Sequence, residues 1–246
     1  MKSVNIAMWS GPRNISTAMM YSFGNRADCH AWDEPFYSFS LKHHGNDHPM
    51  RDAIIAAGDC DFDRLVTRCL ESPPDGKPVF YQKHMTHHML AGYDRQWIGR
   101  LTNAFLIRSP ERVLASYARK WSDVSLRAIG FAEQAEIFDI VADRLGKAPP
   151  VIDAEDVLAD PQAILKPLCA ALGIGFDPAM LAWPKGPKPF DGVWAPHWYN
   201  AVWSSTGFTR PEKTPDAFLP PVLARIADQA HPYYERLRAH RITPAG

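Results

Sequence analysis

The stretch Ser3-Val4-Asn5-Ile6-Ala7-Met8-Trp9-Ser10-Gly11-Pro12-Arg13-Asn14-Ile15-Ser16-Thr17-Ala18-Met19-Met20 decides the fold. An apolar run of strand length stops at a Ser-Gly-Pro-Arg turn, and a helical pattern starts at once, so the order is strand, loop, helix start. Unpaired backbone N–H groups at a helix N-terminus, with the positive end of the helix dipole behind them, form a socket for an anion. Arg13 adds a forked cation, and Ser16 and Thr17 add hydroxyl donors on the first helical turn. Taken alone, the same loop also reads as an ordinary connection from strand to capped helix.

Working outward, the helix from Ser16 should run through Met19, Met20 and Phe23 and end at Gly24 in a left-handed cap. Asp28 to Asp33 reads as a second strand, closed by Glu34-Pro35 because the residue before a proline avoids helix. The polar stretch His43-His44-Gly45-Asn46-Asp47-His48-Pro49 reads as a solvated loop, followed by helices near 50–58 and 61–71. Val79 to Lys83 and Asn103 to Arg108 are near-continuous apolar runs, the pattern of strands buried on both faces. Ser109-Pro110-Glu111 starts a helix expected to reach about Lys120. Phe131, Ala135, Phe138, Val141 and Leu145 recur at helical spacing. Val151 to Asp153 is a fifth strand, residues 161–172 a helix, and Pro220 to His240 a last helix with a kink expected at Pro232.

Strands alternating with helices predict a three-layer α/β/α fold on a central parallel sheet, a phosphate-loop NTPase-like architecture. The reading is one domain over 1–246, with a nucleotide-binding core over 1–182 and a Trp- and Pro-rich cover over 183–246. That cover holds Trp183, Trp194, Trp198 and Trp203, half of the eight tryptophans, and is expected either to roof a pocket or to pack on the sheet edge.

Lysine plus arginine and aspartate plus glutamate each number 27, so no global field exists to capture nucleic acid or an acidic membrane. The four cysteines lack paired spacing, which fits free thiols in a reducing compartment, and the cytoplasm is the expected location. No apolar run is long enough to span a membrane. A homodimer is left open.

In parallel α/β sheets, ligands lie beyond the carboxyl ends of the strands. The candidates are therefore Ser10 to Thr17 after the first strand, Asp33 and Glu34 after the second, Lys83 and His84 after the third, and Arg108 after the fourth. Three cations and an anion-binding loop on one edge suggest a shared polyanion. The loop is shorter than Gly-x-x-x-x-Gly-Lys-Ser/Thr and has arginine for lysine. No apolar strand ends in an aspartate set up for magnesium, so a metal-dependent NTPase is disfavoured. His84, His87 and His88 invite a zinc reading, but no acidic or cysteine partner lies near them in sequence, and no metal is expected.

Ser10-Gly11-Pro12-Arg13-Asn14-Ile15-Ser16-Thr17-Ala18 resembles the phosphate loop of sulfotransferases that use 3′-phosphoadenosine 5′-phosphosulfate (PAPS). The stretch from Phe105 to Tyr117 resembles that family's other signature, with Arg108 and Ser116 eight positions apart around a Ser-Pro helix start. The likeness is carried by residues 1–120. It is strongest to a bacterial group related to a domain that plants fuse to a branched-chain aminotransferase-like segment.

The resemblance implies that Ser10, Gly11, Pro12, Arg13, Asn14, Ile15, Ser16 and Thr17 hold the 5′-phosphosulfate, and that Arg108 and Ser116 hold the 3′-phosphate. It implies metal-free in-line transfer to a hydroxyl or amine of an acceptor, with Arg13 and Lys83 on the bridging and leaving oxygens; a tail that roofs the pocket would make that acceptor small and partly apolar or aromatic. Two residues compete as base: Glu34, which is favoured, and His84. Asn14-Ile15 departs from the family's usual Ser-Gly, where glycine would tolerate a positive φ. The family's Arg-Lys-Gly loop is absent; Trp203 to Phe208 with Arg210 is the late stretch that stands nearest to it. A non-catalytic nucleotide-binding protein and an atypical phosphate-loop kinase are the competing readings.

Overall fold

The computed structural model describes residues 3–44, 48–119, 124–209 and 219–244. Five strands, β1 (Val4–Ser10), β2 (Cys29–Asp33), β3 (Val79–Met85), β4 (Thr102–Ile107) and β5 (Val151–Asp153), form one parallel sheet in the order β2-β3-β1-β4-β5. Registers pair Ser10 with both Met85 and Leu106, Asp33 with Lys83, and Ile107 with Asp153, so the strands finish nearly level. Whatever follows each strand therefore gathers on one edge.

Successive β1 side chains go to opposite faces. Ile6 and Met8 join a core with Met19, Met20 and Phe23 of helix α1 (Ser16–Gly24), and Ala7 and Trp9 join a second core. Between β2 and β3 run α2 (Tyr37–His44), α3 (Arg51–Ala57) and α4 (Phe62–Leu70). After β4 come α5 (Pro110–Tyr117), α6 (Leu126–Ile129) and α7 (Phe131–Leu145), and after β5 come α8 (Ala154–Ala159) and α9 (Pro161–Ala171). The tail carries α10 (Ala195–Trp198), α11 (Asn200–Trp203) and α12 (Pro221–Arg238). Helix α9 joins the α1 core, while α7 and α12 fill the other, giving the expected three layers.

Three local expectations change. Gly24 is the last residue of α1 and is not left-handed; a Cβ there would lie 2.5 Å from the Phe190 ring, so close approach explains the glycine. The polar stretch near His43 is the end of α2, with Gly45, Asn46 and Asp47 outside the described residues. Helix α5 ends at Tyr117, and Lys120 lies outside the described residues. Ser109 takes the N-cap place but makes no side-chain capping bond, and Pro110 supplies the start.

Gln134 of α7 fixes the point where the sheet opens. Its buried amide donates to the carbonyls of Trp9 (3.1 Å) and Leu106 (3.0 Å), near the ends of β1 and β4. Replacing Gln134 by Leu takes a donor from two buried carbonyls; the expected loss is ~1–3 kcal/mol in urea unfolding.

Candidate active site

A cavity of about 1030 Å³ opens at the carboxyl edge of the sheet. One wall is the loop from Pro12 to Thr17, the opposite wall carries Glu34 and Tyr37, and Arg108, Ser116 and Tyr117 close a third side. Trp198, Tyr199, Val202, Ser205, Gly207 and Phe208 of the tail also line it. The tail thus does both things expected of it, since Trp183 and Trp194 are buried in the core while Trp198 faces the cavity. Arg210 lies outside the described residues.

Lys83 is the centre of the buried polar structure. Its three N–H donors are shared among four oxygens: Glu34 Oε1 at 2.7 Å, Asp33 Oδ1 at 3.0 Å, the Tyr199 hydroxyl at 2.6 Å and Thr17 Oγ1 at 3.2 Å. The Tyr199 hydroxyl in turn donates a hydrogen bond to Asp33 Oδ2 at 2.7 Å. Burial works against the ammonium, but Asp33 and Glu34 outweigh it and hold the lysine above its ordinary pKa. Burial raises the Glu34 carboxyl above its usual range; Lys83 pulls it back in part, and Asp33 pushes it further up. That is a carboxylate poised as a proton acceptor nearer neutrality than a free one.

The loop wall is cationic. Arg13 donates through Nε to Ser116 Oγ (3.0 Å), and Arg108 donates through Nη1 to the Arg13 carbonyl (3.1 Å). Arg108 and Arg112 share one carboxylate, Glu155, at 3.2 and 3.4 Å. Burial first, and then the charges of Arg119 and Arg108, lower the Arg13 pKa. Helix α1 begins with no side-chain cap and no acid in its first turn, so its positive end is left for a ligand. Arg13 and Glu34, with φ of 57° and 42°, are two of the three non-glycine residues with positive φ among the described residues. Such backbone costs ~1–3 kcal/mol per residue and persists where its surroundings enforce it.

A family model for a sulfotransferase domain matches residues 4–241. The chain belongs to the sulfotransferase domain family. Two Arabidopsis thaliana proteins named branched-chain-amino-acid aminotransferase-like protein 2 and protein 1 are each 37% identical to it over 235 residues, 96% of this chain. The chain spans only 41% and 42% of their respective lengths. Among solved structures, a sulfotransferase from Alicyclobacillus acidocaldarius aligns over 98% of both chains at 14% identity with a TM-score of 0.57. The mouse sulfotransferase SULT7A1, described as complexed with PAP, aligns over 94% of this chain and 84% of its own at 12% identity and a TM-score of 0.50. At those identities the likeness is one of fold, the phosphate-loop α/β fold of sulfotransferases.

Within that fold the residues singled out from sequence divide. Pro12, Arg13, Asn14, Ile15, Ser16, Thr17, Glu34, Lys83, Arg108 and Ser116 line one cavity. Ser10 and Gly11 lie beneath it: Ser10 is fully buried against Met85 Sδ, and a Cβ on Gly11 would meet the Ile129 carbonyl at 2.6 Å. The left-handed loop residue is Arg13, while Ile15 sits at φ −86°, so the departure from Ser-Gly costs no strain there. Asn14 is an internal tie, donating to the Leu106 carbonyl at 3.0 Å and accepting from the Ile15 N–H at 2.9 Å.

His84 is the correction. Strand β3 runs to Met85, two residues past the expected end, so Lys83 and His84 belong to a pleat and point to opposite faces. His84 is buried, stacked on Trp9 at 4.5 Å and bonded to Gln82, and burial drives its pKa down to about 3. It does not line the cavity, unlike Glu34. The histidine beside the carboxylate is His88, 3.9 Å from Glu34 Oε2 and stacked on Tyr37. His48, expected in solvent, lines the cavity and bonds the Tyr37 hydroxyl at 2.9 Å. No group of three or more metal-ligating side chains forms among the described residues.

Sequence reasoning gave Tyr199 and Trp194 no individual role, because they lie in a tail without periodicity, and read His88 only as one of three histidines that invite a metal.

Replacing Lys83 by Met leaves two buried carboxylates without their cation. The expected loss is ~3–5 kcal/mol at pH 8 by guanidinium unfolding. Without its cation the Glu34 carboxyl is held still further above its unfolded pKa, so the folded protein binds more protons and stability falls as pH rises. The deficit should therefore shrink at pH 5.

Proposed function

We propose that this sulfotransferase-family chain transfers a sulfuryl group from PAPS to a hydroxyl or amine of a small-molecule acceptor. One observation carries the reading: Arg13, Arg108 and the uncapped head of α1 face the same cavity as Glu34, a carboxyl with a raised pKa. The donor set suits the co-substrate. Several guanidiniums with one carboxylate among them match a doubly phosphorylated ligand, and the tail brings Trp198 and Phe208 as apolar walls for an adenine or an aromatic acceptor.

In this reading Arg13 and the first turn of α1 take the phosphosulfate, and Arg108 with Ser116 takes the 3′-phosphate. As the acceptor oxygen or nitrogen bonds to sulfur, the bond from sulfur to the bridging oxygen breaks. That oxygen leaves on 3′-phosphoadenosine 5′-phosphate (PAP), and the acceptor proton passes to Glu34. Lys83 spends its donors on Asp33, Glu34, Tyr199 and Thr17, so its part is a fixed positive charge between the base and the head of α1. Arg13 is then the direct donor to the leaving side.

Binding is tested by heating the protein with each nucleotide. PAP should raise the melting temperature, and ATP with magnesium should not; the reverse result favours the kinase reading. Arg108→Ala should bind PAP at least tenfold more weakly, since a charge-assisted contact is worth ~1.5–3 kcal/mol. Turnover of labelled PAPS against hydroxyl and amine acceptors tests transfer. Glu34→Gln should lower kcat by about 10²–10⁴ and leave PAP affinity in place. In the wild type, kcat/KM should fall as pH drops through the raised Glu34 pKa, an acid limb above the ordinary glutamate value of ~4.3. An acid limb at or below that value removes Glu34 as the base.

A further inference from the structure

Tyr199 reaches the ion cluster from the tail, between α10 and α11, and is buried. Its hydroxyl accepts from Lys83 Nζ (2.6 Å) and from Trp194 Nε1 (3.0 Å) and donates to Asp33 Oδ2 (2.7 Å). Its ring also stands 4.8 Å from the ammonium. Asp33 Oδ2 has one further donor, the Gly192 N–H at 3.2 Å. One hydroxyl therefore completes the shell of both Lys83 and Asp33, and Lys83 in turn holds Glu34.

We propose that Tyr199 is a positioning residue for Glu34, dividing the Lys83 charge between the two carboxylates so that Glu34 keeps a full share. The groups facing Glu34 are Lys83 from β3, Asp33 from β2, Tyr199 from the tail, His88 from the turn after β3 and Tyr37 from α2; Tyr21 and Tyr81 face Asp33. Without the Tyr199 hydroxyl, Asp33 Oδ2 keeps only a backbone donor and draws Lys83 toward itself, and Glu34 also loses the direct support that the hydroxyl gives its charged form. Glu34 then loses part of its cation, and its neutral form gains. The loss is electrostatic, so it appears as a displaced titration, whereas a role in packing alone would lower activity equally at every pH.

The test is Tyr199→Phe, which keeps the ring and removes the hydroxyl. Trp194→Phe is a milder second variant, removing the indole N–H that orients the same hydroxyl. The Glu34 carboxyl is titrated by carbon NMR in the free protein labelled at glutamate and aspartate, with Glu34→Gln assigning the signal. The Glu34 titration should move up by roughly half to one pH unit in Tyr199→Phe, the equivalent of one hydrogen bond, and by less in Trp194→Phe. The acid limb of kcat/KM should move with it, while the KM for PAPS stays within about twofold. The kinetic arm rests on the sulfuryl-transfer reading; the NMR arm does not. A displaced Glu34 titration in a protein that sulfates no acceptor keeps the positioning role and sinks the transfer reading. A Glu34 titration unmoved in Tyr199→Phe, or in Trp194→Phe should the first variant not fold, overturns the proposal whatever kcat does.

Discussion

An ammonium ion buried in the middle of a protein costs several kcal/mol unless it is paired and fully hydrogen-bonded, and Lys83 is 1% exposed. The surroundings of that one group explain much of the chain's arrangement. Asp33 lies in register with it on the neighbouring strand, Glu34 follows at the strand end, Thr17 meets it from the head of α1, and Tyr199 meets it from 116 residues further along. Three segments remote in sequence are held against β3 because its one buried cation draws on their oxygens. Such a cluster is a poor source of net stability, and its value lies in what it orients.

What it orients is strained. Glu34 takes a left-handed backbone, pinned by its N–H to the Lys83 carbonyl at 3.1 Å, and Arg13 takes another on the opposite wall, pinned by Ser116 and by Arg108 on its carbonyl. Neither residue is glycine, so the strain is tolerated for the side chain. Each strained position turns a charged group into the cavity, one acidic and one basic. The chain as a whole is electrically balanced, and the site works by separating charge locally.

The parts of this arrangement that follow local rules were legible in the sequence. Val79 to Lys83 and Asn103 to Arg108 read as strands because both faces are buried, and Ser10 to Thr17 read as an anion loop because strand, turn and helix abut. The failures come from geometry that no local rule carries. Adjacent strand residues face opposite ways, so the strand end decided whether Lys83 or His84 entered the site, and the polar residues His84 and Thr86 gave no sign that β3 continues to Met85. Gly24 reads as a cap from its neighbours, but its reason is the Phe190 ring of the tail. Tyr199 and Trp194 carry no spacing signal; only the need of a buried lysine for further acceptors points to them, and burial of Lys83 was not visible before the sheet was built.

The same lysine sets the scale on which chemistry can occur. Its Nζ touches Thr17 Oγ1 at 3.2 Å and Glu34 Oε1 at 2.7 Å, so the head of α1 and the Glu34 carboxylate are no more than about 6 Å apart, with the ammonium between them. The carboxylate cannot drift away without uncovering the ammonium, and the helix head cannot drift without losing its hydroxyl contact. Distance between the head of α1 and the Glu34 carboxylate is thus fixed by the electrostatics of a buried charge.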